Sequence, residues 1–139
     1  MARRARSRLD DVLDAWACWL AQGEGAQLIG SSQLGRLMDG ALPGSGGSAD
    51  VVCMAAFPIE ERVEAAVIGI AREDLLTADV LRLEYNAAFE RVCDRRGIAR
   101  YEPSRAEQVH KALLLDVSVR TYKRRLASAR ELIEQRVLA

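Results

Sequence analysis

Apolar residues return every three or four positions along most of this chain, the spacing that lines one face of an α-helix. From about Arg8 to Gln22, Leu9, Val12, Leu13, Trp16, Trp19 and Leu20 share such a face. Asp10, Asp11 and Asp14 sit in its first turns, where the helix dipole favours anions. Gly23 and Gly25 end the run. A short helix is expected from Ser32 to Gly40, with Leu34, Leu37 and Met38 inward. Residues 43–50 are rich in Gly and Ser and read as a flexible loop. Val51 to Phe57 is apolar and short, either extended or the start of the next helix. Pro58 opens a helix to about Arg72, carried by Ile59, Val63, Ala66, Val67 and Ile70. Thr77 is the expected cap of one continuous helix to Gly97, with Val80, Leu81, Tyr85, Ala88, Phe89 and Val92 inward. Ser104-Arg-Ala-Glu107 has the pattern of a capping box and starts a helix over 105–114. A last helix spans about 119–137, anchored by Leu126, Ala129, Leu132, Ile133 and Val137.

The pattern predicts an all-α, compact helical domain of about five to six helices, with no internal repeat and almost no strand. Its expected organisation is a basic arm at 1–7, a helical body at 8–97, and a helix-turn-helix with a trailing helix at 98–139. Composition agrees. Half of the 139 residues are hydrophobic but only 5% are aromatic, so Leu, Val, Ile and Ala must build the core. Trp16 and Trp19, three apart on one face, read as core anchors rather than a base-stacking pair.

Charge changes the picture, because a net charge of zero hides a division along the chain. Arg3, Arg4, Arg6 and Arg8 open it; residues 9–90 hold four basic and fourteen acidic residues; residues 91–139 hold twelve basic and six acidic. The basic C-terminal third suits a polyanion, while the acidic middle suits internal packing or a protein partner with a basic surface.

The stretch Lys111 to Leu126 gives that basic third a shape. Ala112 is small enough for two helices to cross. Leu115 and Val117 are apolar on either side of a turn, and Asp116 stands where Gly is usual. Asp tolerates the left-handed conformation such a turn requires. Ser118 can cap a second helix, and Tyr122 and Leu126 face inward one turn apart. Val119, Arg120, Thr121, Lys123, Arg124 and Arg125 are left on or near the surface. This is the pattern of a helix-turn-helix, whose second helix enters the major groove of DNA. The competing reading is an ordinary amphipathic helix with a basic, solvated face.

No chemistry for an enzyme emerges. His110 is the sole histidine and lies among basic residues, so a surface or packing role fits it better than catalysis. Cys18, Cys53, Cys93 and His110 lack the short spacings of structural zinc sites, so no metal or cofactor is expected and the cysteines read as small buried groups. Glu60, Glu61 and Glu64 read as a solvated face. Gly44, Gly46 and Gly47 lack the Lys-Ser/Thr ending of a phosphate-binding loop. An odd cysteine count and a basic start without a following apolar run fit a reducing cytoplasm, and no stretch reaches the length of a membrane span.

Two segments together carry a family resemblance. Leu81-Arg-Leu-Glu-Tyr85 precedes the helix-turn-helix in the order seen in the DNA-binding region of bacterial sigma factors. Leu13-Asp-Ala-Trp-Ala-Cys-Trp-Leu-Ala21, a small-residue segment and Leu34-Gly-Arg-Leu-Met38 resemble the N-terminal part of the phage antitermination protein Q family, the lambdoid type without a zinc finger. The order of segments is similar over most of the chain; a longer link at 94–104 departs from it. The resemblance implies a transcription antitermination factor acting in the cytoplasm of a bacterial host. Such a protein binds a DNA element beside a phage late promoter and loads onto paused RNA polymerase. It then travels with the enzyme and suppresses pausing and termination. The implied partners are double-stranded DNA, bacterial RNA polymerase with its sigma factor, and nascent RNA along the exit path. By position in the motif, Val119, Arg120, Thr121 and Arg124 would meet base edges, while Ser118, Lys123 and Arg125 would hold phosphates.

Two other functions compete. A conventional helix-turn-helix repressor or activator would bind a palindrome as a symmetric dimer. A phage protein that binds a host protein would have a basic face that only solubilises it, with no salt-dependent DNA affinity.

Overall fold

Ser7 starts α1 (Arg8–Ala21) with a reciprocal cap: its hydroxyl accepts from Asp10 N at 3.2 Å, and Asp10 accepts from Ser7 N at 3.1 Å. The structure is a computed structural model and describes residues 7–22 and 57–139. The helix expected at 32–40 and the loop at 43–50 lie outside the described residues, as do residues 1–6 of the basic arm and most of the 51–57 stretch. α1 buries Leu9, Val12, Leu13, Trp16 and Trp19, the face its periodicity marks.

Pro58 precedes α2 (Ile59–Glu73), where its missing N–H leaves no bond unmade. A single extended residue, Asp74, separates α2 from α3 (Leu75–Tyr85). Asp74 is the cap of α3: it accepts from Thr77 N at 3.3 Å and from the Thr77 hydroxyl at 2.8 Å. Thr77 is therefore inside the first turn rather than the cap expected of it.

The expected continuous helix to Gly97 is two helices. Asn86 (φ 57°) and Ala88 (φ 53°) are left-handed and break it, and α4 (Phe89–Arg96) follows. Ala87 is fully buried in the corner, so apolar spacing continues through a break in the backbone. Three helices end by one device. A residue at φ 57–71° lets the next N–H reach back five residues: Ala87 to Arg82 O, Ile98 to Cys93 O, and Val117 to Ala112 O.

α5 (Gln108–Leu114) starts three residues later than expected, and the box at Ser104–Glu107 does not form. Glu102 O instead accepts from Arg105 N and Ala106 N, closing a turn. Tyr101 fixes this link, its ring 5.4 Å from that of Phe89. α6 (Val119–Ile133) runs into one widened turn, Glu134–Leu138. Among the described residues the fold is all-α, with six α-helices.

Two apolar clusters hold these helices. One joins α1, α2, α3 and the distal half of α6 around Leu13, Trp16, Val67, Ile70, Leu81 and Ile133. The other joins α3, α4, α5 and the proximal half of α6 around Val80, Leu83, Val92, Ala112, Leu115 and Tyr122. α3 belongs to both, and its polar residues hold the other helices. Glu64 of α2, fully buried, accepts from Arg82 of α3 at 2.8 and 3.0 Å and from Trp16 Nε1 of α1 at 3.0 Å. Glu61 is buried as well, and burial raises its pKa, with repulsion from Glu60 adding to it. The solvated face expected of Glu60, Glu61 and Glu64 is thus corrected at two of its positions. Asp79, almost fully buried, accepts from Arg96 at 2.6 Å and from Arg95, tying α4 to α3.

Candidate nucleic-acid interface

The turn between α5 and α6 is built from the residues that mark it in the sequence. Leu115 is buried, Asp116 is left-handed at φ 59°, and Val117 is half-buried. Ser118 caps α6: its hydroxyl accepts from Thr121 N at 3.1 Å and donates to Thr121 Oγ1 at 3.0 Å. Tyr122 is fully buried and donates its hydroxyl to Glu84 Oε1 at 2.9 Å. Burial and the Glu84 charge raise the Tyr122 pKa, so the phenol keeps its proton and stays a donor. Glu84 also accepts from Gln108 at 3.1 Å and faces the Lys111 ammonium at 3.7 Å. One carboxylate of α3 therefore fixes both α5 and α6.

The sequence-expected contact residues divide by environment. Arg120, Lys123 and Arg124 are exposed and form no ion pair among the described residues. Val119 is half-buried against the second apolar cluster. Thr121 is half-buried with its hydroxyl turned to Ser118, itself exposed. Arg125 is half-buried and bound to Asp74 and to the Thr77 hydroxyl.

This division is part of a wider neutralisation. Arg95 and Arg96 pair with Asp79, Lys111 with Glu84, Arg125 with Asp74, Arg130 with Asp10 and Arg136 with Glu73. The basic third and the acidic middle thus cancel each other inside one molecule. What they leave on α6 is a cluster on its first two turns. Farther along, Glu131 and Glu134 are exposed, so the helix surface changes sign.

The cation pairs differ in strength. Arg130 donates to Asp10 at 2.6 Å and also to Tyr85. The bond from Arg130, with further bonds from Ser7, holds the Asp10 carboxyl down at about 2, below its ordinary 3.8. Tyr85 is pushed up to about 12, mainly by burial.

His110 is exposed at a shallow hollow of about 310 Å³ beside Arg100, Tyr101, Arg105 and Leu114. Cys93 is buried, and burial pushes its thiol up; Cys18 is exposed, contrary to expectation, and Cys53 lies outside the described residues. Among the described residues no group of three metal-binding side chains assembles, and no helix is long and apolar enough to cross a membrane. No family model, no curated protein and no solved structure matches the chain.

Sequence reasoning missed the Glu84 junction and the Asp74–Arg125 pair. Their members are 24 to 51 residues apart, beyond the reach of any local pattern.

Proposed function

We propose that the chain binds double-stranded DNA with α5 and α6 as a helix-turn-helix, the first two turns of α6 lying against the major groove. The observation that carries this reading is the sorting of charge. Seven of the eleven basic residues beyond Arg91 are in ion pairs, yet Arg120, Lys123 and Arg124 stay exposed together on a helix whose start is capped and held to α3 through Glu84. A basic face serving only solubility needs no such mounting. Arg120 and Arg124 lie on one face four residues apart, where each can reach a base edge. Lys123 beside them suits a phosphate. The acidic Glu131 and Glu134 limit the contact to the proximal half of the helix.

Arg120→Ala should weaken sequence-specific binding by about 1–3 kcal/mol, and Lys123→Ala should weaken binding to all duplexes and lower the salt slope by about one. Equilibrium titrations over a range of salt concentrations measure both. Unchanged constants for both variants would remove α6 from the interface.

The narrower reading is antitermination, supported by the resemblance to the phage Q family in segment order. In-vitro transcription through a terminator from the native late promoter tests it. Read-through that needs the upstream DNA and is lost in Arg120→Ala supports it. Retained DNA binding without read-through leaves a promoter-binding regulator.

A further inference from the structure

We infer that Asp74 competes with nucleic-acid phosphate for Arg125, so that the corner between α2 and α3 restrains DNA binding by α6; this rests on the reading of α6 given above. Arg125 lies on the same two turns as Arg120, Lys123 and Arg124, yet Asp74 holds its guanidinium, with the Thr77 hydroxyl at 3.4 Å. The two side chains are 40% and 37% exposed, so water and salt screen their attraction.

Asp74 does not depend on Arg125. It keeps the bonds from Thr77 N at 3.3 Å and Thr77 Oγ1 at 2.8 Å when the guanidinium leaves. Arg125, which reaches Asp74 through one guanidinium nitrogen, can therefore exchange the carboxylate for a phosphate, which accepts from it as a carboxylate does, without uncapping α3. The exposed pairs Arg136–Glu73 and Arg105–Glu102 lie outside α6, and the remaining pairs lack this freedom. Lys111 is itself buried, Arg95 and Arg96 close over a buried Asp79, and Arg130 is held by both Asp10 and Tyr85. Opening the Asp79 pairs would leave a buried charge uncompensated. Arg125 is thus the paired cation of α6 that is poised to change partners, and Asp74 sets how readily it does so.

The test is a double-mutant cycle in the full chain, read as affinity for a mixed-sequence duplex of about 20 base pairs at low salt. Asp74→Asn keeps a cap residue and removes its charge. It should tighten binding about two- to fivefold, and Arg125→Ala should erase that gain, so that the double variant binds like Arg125→Ala alone. Asp74→Ser, a second uncharged cap, must behave likewise, which separates the effect from a folding defect of the first variant. No gain overturns the inference, and so does a gain that survives undiminished in the Arg125→Ala background, since that is a general effect of charge. Absence of any salt-dependent DNA binding by the wild-type chain removes the reading of α6 and this inference with it.

Discussion

Replacing Glu64 by Leu should be among the most damaging single changes in this fold, and the structure says why. The Glu64 side chain is fully buried, and Arg82 opposite it is only 10% exposed. The two form a forked pair at 2.8 and 3.0 Å, and the guanidinium also lies 5.7 Å from the centre of the Trp16 ring. Leu fills the space but leaves the Arg82 charge buried and without its partner, which costs about 3–5 kcal/mol. Total stabilities of about 5–15 kcal/mol make that a large share. The Glu64→Leu/Arg82→Met double variant removes both charges, so most of this penalty should vanish. It retains the loss of the acceptor for Trp16 Nε1, about 1–3 kcal/mol for a buried donor left unmade. Urea unfolding followed by circular dichroism measures all three proteins. The double variant must be more stable than the single one. A Glu64→Leu chain within about 1 kcal/mol of wild type, or a double variant less stable than the single, refutes the argument, because either would mean that Arg82 reaches water unaided.

Other consequences follow from the same contacts. Asp10 titrates lower in the folded chain than in the unfolded one, so its contribution is present above 3.8 and is lost as pH falls through about 2. Asp10→Asn should flatten the acid limb of stability across that window by about 1–2 kcal/mol, after discounting for solvent screening; an unchanged limb in pH-dependent unfolding counts against the Arg130 contact. Ala88 is left-handed at φ 53°, so Ala88→Gly should stabilise the chain by about 0.5–1 kcal/mol, and a lower melting temperature would contradict that. Tyr122→Phe removes the hydroxyl that reaches Glu84 and should destabilise by about 1–2 kcal/mol in urea unfolding; no loss would show that Glu84 does not hold α6 in place.

The faces of the helices were legible because burial follows the 3.6-residue period: Leu13, Trp16, Val63, Val67, Leu81 and Ile133 are all buried where spacing places them. The turn at Asp116 and the cap at Ser118 were legible because each depends on the chemistry of one residue. The break at Asn86–Ala88 was not. Ala carries no preference for the left-handed region, and Ala87 keeps the apolar rhythm going across the corner. Nor was the burial of Glu64, whose partners Arg82 and Trp16 are 18 and 48 residues away. The candidate interface was readable in its residue types and only partly in their availability. Arg125 and Arg120 look alike in sequence, and a contact from a distant helix corner separates them.

The central claim is that the first two turns of α6 form a DNA-binding face, and amide chemical-shift mapping of the full chain during titration with duplex DNA tests it most directly. Shifts should concentrate on residues 118–125, fade before Glu131, and be suppressed by added salt. Shifts centred elsewhere, or none at DNA concentrations that saturate non-specific binders, would contradict it.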